Sequence, residues 1–236
     1  MDYPKYQINF MPESYYGYCS TACFMGILNY FWYTQFNMKD TRDVMKIAKM
    51  GRYKEGIGLD TYEMGYALSK LGFRVIIGDL GSYEAQLSYI NDPISYITQK
   101  HKNGKYKNFI RDGKWIDMNG NNIFDFYDTY ISKKILECSE IEKLYNIDPL
   151  SFVEEYQNKN TLFILSVNWN VLYDQKPQEG ISGGHVVLTT GYRNGMFEIY
   201  DPGPYKKPDF IAAEKVLEAM NDLNKTYSII AISNLH

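Results

Sequence analysis

Cysteine is scarce in this chain: three residues in 236, at positions 19, 23 and 138. So low and odd a number argues against a disulfide framework and for a reducing compartment. Basic charge is not in excess either. The 25 Lys and Arg stand against 28 Asp and Glu, a formal charge of −3, and no basic face is there to hold a phosphate backbone. The 23 tyrosines are scattered and are not interleaved with Lys/Arg clusters. They read as half-buried amphipathic residues rather than as a platform for bases. Long apolar runs are missing, the longest falling far short of the ~18 residues that span a bilayer. The opening MDYPKYQINFMPES lacks a basic start followed by an apolar run, so no signal peptide is expected. These absences lead to an expectation of a soluble, cytoplasmic protein with no nucleic-acid and no membrane partner.

What is present suits a globular core. Hydrophobic residues make up 45% of the chain, an ordinary share, and the length suffices to bury a core without disulfide or metal staples. No repeat, linker or low-complexity tract divides the chain, so residues 1–236 are expected to form a single domain. Apolar residues at 22, 23, 26, 27, 30 and 31 recur at spacings of three and four. This predicts a helix from Cys19 to Tyr33 with one buried face. A second helix is expected over Thr41 to Lys49. Residues 56–78 read as loop, helix, a stop at Gly72, then a strand in FRVII. Residues 80–145, with Asn-Gly and Asp-Gly punctuation, are expected to leave the core as an insertion holding one or two hairpins. Pro149 after Asp148 starts another helix. The C-terminal third reads as strands: TLFILSVNW, HVVLTTGYR, FEIYDPG and YSIIAIS, with RNG turning between the second and third. A last helix is expected from about Ile211 to Asn221. Helices first and a mostly antiparallel sheet afterwards make an α+β layout.

Three residues could carry chemistry. A thiol at a helix start, such as Cys19, faces the positive end of the macrodipole and unpaired N–H groups, which favour the nucleophilic thiolate. The N–H groups there can also bind an oxyanion; burial as a structural cysteine is the alternative. Of the three histidines, His236 is terminal and His101 lies in the polar TQKHKNGK. Only His185 opens an apolar strand, after a Gly-Gly pair that admits close approach. Asp201 ends the strand that the RNG hairpin pairs with the His185 strand. It could fix the tautomer of His185, or simply start an Asp-Pro-Gly turn. A cysteine at a helix start followed by His and Asp on adjacent strands is the order expected of a thiol acyl-transfer triad. Cys23 reads as core, although Cys19 and Cys23 with His185 could ligate a metal for which no fourth ligand is evident. Cys138 reads as structural. Asn168 and Trp169 either line a cleft or simply end a strand.

The stretch CSTACFMGILNYF resembles the C-G-P-A-C-x-x-M-x-x-x-Y pattern of bacteriocin-processing leader peptidases and their stand-alone relatives in the papain-like cysteine peptidase superfamily. GIGLDTYEMGYALSKLGFRV resembles the segment that follows in that family. LFILSVN and GGHVVLTTGYRNGMFEIYDP resemble its His strand, hairpin and Asp-Pro. The resemblance covers the start, residues 56–78 and 161–202. It implies a papain-like fold in which the helix carrying Cys19 packs on the sheet, with Cys19 as nucleophile, His185 as base and Asp201 as orienting residue. It implies a peptide or protein substrate and needs no metal or organic cofactor. Two departures stand out. Ser20-Thr21 replace the family's Gly-Pro, and Glu13 stands where the family places a Gln six residues before the cysteine as an oxyanion-hole donor. An ionised Glu only accepts hydrogen bonds, so Glu13 can join the Cys19 N–H in an oxyanion hole only when protonated. Losing one such donor typically costs ~10²–10³ in rate. Hydrolysis of a peptide or isopeptide bond is the leading expectation. Acyl or amido transfer on the same triad, and an inactive relative that binds peptides in the old cleft, are the alternatives. Oligomeric state is not legible.

Overall fold

The computed structural model describes residues 19–31, 41–53, 59–93, 95–96, 99, 110–111, 114–115, 129–158, 160–176, 184–203, 208–221 and 228–234. Glu13, His101 and His236 lie outside the described residues. Helices come first: α1 (Cys19–Tyr30), α2 (Thr41–Met50) and α3 (Thr61–Lys70). β1 (Phe73–Asp79), α4 (Tyr83–Asn91), the small strands β2 (Ile110–Arg111) and β3 (Lys114–Trp115), α5 (Thr129–Glu137) and β4 (Ile141–Tyr145) follow. Next come α6 (Pro149–Tyr156), β5 (Thr161–Asn168), the one-turn α7 (Trp169–Leu172), β6 (Gly184–Arg193), β7 (Met196–Tyr200) and β8 (Asp209–Ala212). α8 (Ala213–Asn221) and β9 (Ser228–Asn234) complete the order.

The main sheet has seven strands in the order β4-β1-β9-β5-β6-β7-β8. β4 runs parallel to β1, and every other pairing is antiparallel. The fold is therefore α+β with a mostly antiparallel sheet. β5 sits at the centre, and all eight of its residues are buried. Alternation sends them to two different layers. Leu162 and Ile164 pack with Phe24, Leu28, Met64, Leu68 and Ile135 of α1, α3 and α5. Phe163, Leu165 and Val167 pack with Phe152, Val153, Val216 and Met220 of α6 and α8. A strand covered on both faces reads as a continuous apolar run rather than an alternating one, as TLFILSVN does.

Local chemistry fixes several element ends. Asp60 and Glu63 form a reciprocal capping box on α3, and Gly72 follows that helix at φ 87°, a conformation that suits glycine. Asp148 caps α6, and Pro149 occupies its first turn. The Lys143 ammonium donates to the Ile135 and Cys138 carbonyls at 2.8 Å each. It thereby satisfies the end of α5, where bare carbonyls favour a cation.

Four features differ from the sequence reading. α1 is buried on nearly every side, not on one face: ten of its twelve residues are buried, because β6 and α2 both pack on it. Part of the 80–145 segment belongs to the main body, since β4 extends the sheet beside β1 and α5 packs on α3. β8 precedes the last helix, which starts at Ala213. α7 follows β5 directly, where the sequence reading has only a strand end. Among the described residues no helix is long and apolar enough to cross a membrane.

Candidate active site

Cys19 is the first residue of α1, His185 is the second residue of β6, and Asp201 directly follows β7. The hairpin between β6 and β7 determines whether the last two can meet. Its turn residues Asn194 and Gly195 have φ of 51° and 81°, the primed geometry that matches strand twist. Next to the turn, Arg193 pairs with Met196 and Tyr192 with Phe197; further along, Thr189 pairs with Ile199 and Leu188 with Tyr200. Thr190 and Gly191 thus oppose Glu198 alone, which is a β-bulge. Continuing the shifted register sets Asp201 opposite Val187. Without the bulge Asp201 would oppose Leu188. Partners share a face and neighbours alternate, so the bulge is what brings Asp201 to the face of His185, on the diagonal.

The bulge is held in place. Gly191 has φ 139°, and a Cβ there would meet Gln157 Oε1 at 2.5 Å. That oxygen accepts from the Tyr192 amide at 3.0 Å. The Thr189 hydroxyl accepts from the Gly191 amide and donates to its carbonyl, both at 3.1 Å.

The three side chains come together. His185 Nε2 lies 2.7 Å from Asp201 Oδ1, and Cys19 is near enough to His185 for each to shift the titration of the other. Since Nε2 is taken up by Asp201, Nδ1 is the ring nitrogen left to face the thiol. Asp201 Oδ1 also accepts from the Gly203 amide at 2.6 Å. The Asp201 side chain is 2% exposed and that of His185 13%, so the pair interacts in a medium that screens little.

Burial and partners pull each group in opposite directions, and the partners win. Burial pushes the Cys19 thiol up, but the His185 hydrogen bond and charge, with backbone groups at Val186 and Ser20, bring it below its ordinary value. Burial pushes His185 down, but Asp201 and Cys19 raise it to about 10. Burial pushes the Asp201 carboxyl up, but His185, the Gly203 amide and the Tyr173 hydroxyl hold it below the usual range. Cys23, one turn along the same helix, goes the other way. Burial and the nearby Cys19 and Asp201 charges raise it well above normal, and its thiol donates to the Val186 carbonyl at 3.7 Å. One cysteine is shifted toward the thiolate and the other away from it.

The remaining candidates resolve by position. Asn168 pairs with Gly184 beside His185, and its side-chain oxygen caps α7 by accepting from the Asn170 amide at 3.0 Å. Trp169 packs its ring on Tyr173. Cys138 is a free thiol just after α5, packed against the core. Among the described residues no group of three or more His, Cys, Asp or Glu could hold a metal. Tyr173 and Gly203, which both act on Asp201, were not singled out from the sequence. The glycine of Asp-Pro-Gly carried a local signal; the tyrosine, 28 residues from Asp201 (201 − 173), carried none.

An α+β domain with a cysteine at a helix start, facing a His–Asp pair on adjacent strands, has the layout that the motif resemblance implies for a papain-like cysteine peptidase. No family model matches the chain, and no curated protein does. Among solved structures, the chain is similar to the peptidase domain of Streptococcus ComA, a bifunctional ABC transporter involved in a quorum-sensing pathway. The similarity has 11% identity and a TM-score of 0.44, over 97% of this chain and 99% of that one.

Proposed function

We propose that the chain is a thiol hydrolase of the cysteine peptidase kind, acting on a peptide or isopeptide bond in the cytoplasm. The observation that carries this reading is the chain of contacts from Asp201 through His185 to Cys19, with the thiol lowered and the imidazole raised. Those opposite shifts favour a thiolate–imidazolium pair at neutral pH. The Cys19 thiolate attacks the substrate carbonyl carbon and forms a C–S bond. The Cys19 N–H at the start of α1 faces the developing oxyanion, and Glu13, when protonated, serves as the second donor. His185 gives its proton to the departing amine as the C–N bond breaks, leaving a thioester. Water then attacks the thioester while His185 takes up its proton. The C–S bond breaks, the carboxylic acid product departs, and the thiolate–imidazolium pair is restored. Asp201 keeps the ring in the required tautomer throughout.

The test is the pH dependence of Cys19 alkylation by iodoacetamide, in wild type and in His185→Ala. Wild type is expected to react rapidly below pH 7, and the variant is expected to lose that low-pH reactivity. A profile rising near pH ~8.5 in both, as for a free thiol, would refute the reading and favour a non-catalytic peptide-binding relative. Given substrate, His185→Ala is expected to lower turnover by ~10²–10⁴.

A further inference from the structure

The entry to α3 is bonded on both sides of the gap between Cys19 and His185. On the helix side, the Ser20 hydroxyl accepts from the Leu59 amide at 3.2 Å. Ser20 is fully buried and directly follows Cys19 at the head of α1. On the strand side, the hydroxyls of Thr61 and Ser166 share a hydrogen bond. Both residues are buried, at 5% and 6% exposure. Ser166 lies in β5 opposite Val186, and its neighbour Val167 lies opposite His185. A path of covalent and hydrogen bonds thus runs from Cys19 through Ser20, Leu59, Thr61 and Ser166 to the strand pair that carries His185. It goes round the gap between thiol and imidazole without crossing it.

The path is stiff at its joints. Only Asp60 separates Leu59 from Thr61. Its carboxylate accepts from the Glu63 amide at 2.7 Å, and the Glu63 carboxylate accepts from the Asp60 amide at 2.9 Å. That reciprocal box fixes the way the chain enters the helix. The next residue, Tyr62, donates its hydroxyl to Asp79 at the end of β1, so the same turn is also held to a third strand of the sheet. Further along α1, the Cys23 thiol donates to the Val186 carbonyl at 3.7 Å. A helix held to a strand at one polar contact can pivot about it. The Ser20 bond supplies a second point, next to the nucleophile.

We propose that Ser20, Thr61 and Ser166 are positioning residues: they brace the head of α1 to the strand beside His185, and so set the Cys19 thiol against the imidazole. The proposal rests on the triad reading above. None of the three side chains titrates in the working range, so a change in the pH profile of Cys19 on their removal reports a change in its setting. The titratable groups around the brace are Cys19 and Cys23 from α1, Asp60, Tyr62 and Glu63 at the head of α3, Asp79 from β1, His185 from β6 and Asp201 after β7.

The experiment is Thr61→Val in the full chain, which removes the hydroxyl and keeps the branched shape, beside Thr61→Ser, which keeps the hydroxyl. The rate of alkylation by iodoacetamide is followed across pH on the Cys19 peptide by mass spectrometry, in protein shown to be folded by circular dichroism. Thr61→Val is expected to slow alkylation at pH 6 by about three- to tenfold and to move the profile toward that of a free thiol. Thr61→Ser is expected to recover most of the rate. Ser166→Ala is expected to give the same loss as Thr61→Val, and the two together no more than either alone, because they share one bond. Ser20→Ala, which breaks the path at its other joint, is expected to move the profile in the same direction. If Thr61→Val does not fold, Ser166→Ala decides. A lowered melting temperature with an unchanged profile overturns the proposal, as does a Thr61→Ser variant as impaired as Thr61→Val. If wild type and His185→Ala both alkylate as ordinary thiols, the triad reading itself fails, and the brace has no reacting pair to set.

Discussion

Cys19 and His185 shift in opposite directions, which gives folding stability an unusual dependence on pH. His185 keeps its proton up to about 10 in the fold and only to ~6.5 when unfolded. Its contribution is full below pH ~6.5 and is lost as pH rises through 10. Cys19 is lowered in the fold, so its contribution is full above the unfolded thiol value of 9.0 and is lost as pH falls through the folded one. Between about 6.5 and 9 the two slopes oppose each other. Cys19→Ala removes the rising slope and leaves the falling one, with His185 still held by Asp201. The gap in urea midpoint between wild type and Cys19→Ala is therefore expected to widen as pH rises from 6.5 to 9. A gap that stays constant or narrows would show that Cys19 is not lowered. At this scale the sequence was informative where a residue brings its own backbone setting. A helix start marks Cys19, Gly183-Gly184 mark His185, and Pro202-Gly203 mark Asp201. Tyr173 was not legible because its only distinction is a contact made across the fold, and it is one of 23 tyrosines.

The hairpin is the element that joins His185 to Asp201. The RNG turn was legible because positive φ at two central residues calls for Asn-Gly, whereas the bulge left no comparable mark. Gly191 looked like any glycine in a strand, and what it accommodates is Gln157 from the end of α6. Gly191→Ala is strained twice, by a φ of 139° and by a Cβ 2.5 Å from Gln157 Oε1. It is expected to destabilise by roughly 1–3 kcal/mol. Deleting Gly191 is the more specific change. It removes the extra residue and makes the pairing regular while Leu188 stays opposite Tyr200, so Asp201 keeps its place opposite Val187. Low-pH alkylation of Cys19 and a cooperative melt are both expected to persist in the deletion. A deletion variant that folds but loses the low-pH alkylation would mean that the local twist of the bulge, and not register alone, aims Asp201 at His185. β8 and α7 escaped the sequence reading for a simpler reason. Four residues each are too few to display a period of 2 or 3.6.

Across the molecule, β5 joins the two layers. Its even-numbered residues face the layer that holds α1, and its odd-numbered ones face α6 and α8. The eight-residue burial was foreshadowed by the unbroken apolar run, but the partners on each side were not, because they come from both ends of the chain. The same long-range pairing hid the placement of β4, whose mixed sequence IEKLY becomes intelligible as a parallel edge strand with only its first residue buried. Phe163 tests how far packing in the α6 and α8 layer reaches along the sheet. It is fully buried between α6 and α8, with its ring 6.4 Å from that of Phe152, on the face away from Cys19. Phe163→Ala is expected to cost about 3–5 kcal/mol through lost burial and a residual cavity, lowering the melting temperature by roughly 6–20 °C. At 20 °C the variant is nonetheless expected to keep the low-pH alkylation profile of Cys19, because Phe163 pairs with Thr189, four residues along β6 from His185. Loss of that profile in a variant still folded by circular dichroism would mean that packing in this layer sets the angle of His185.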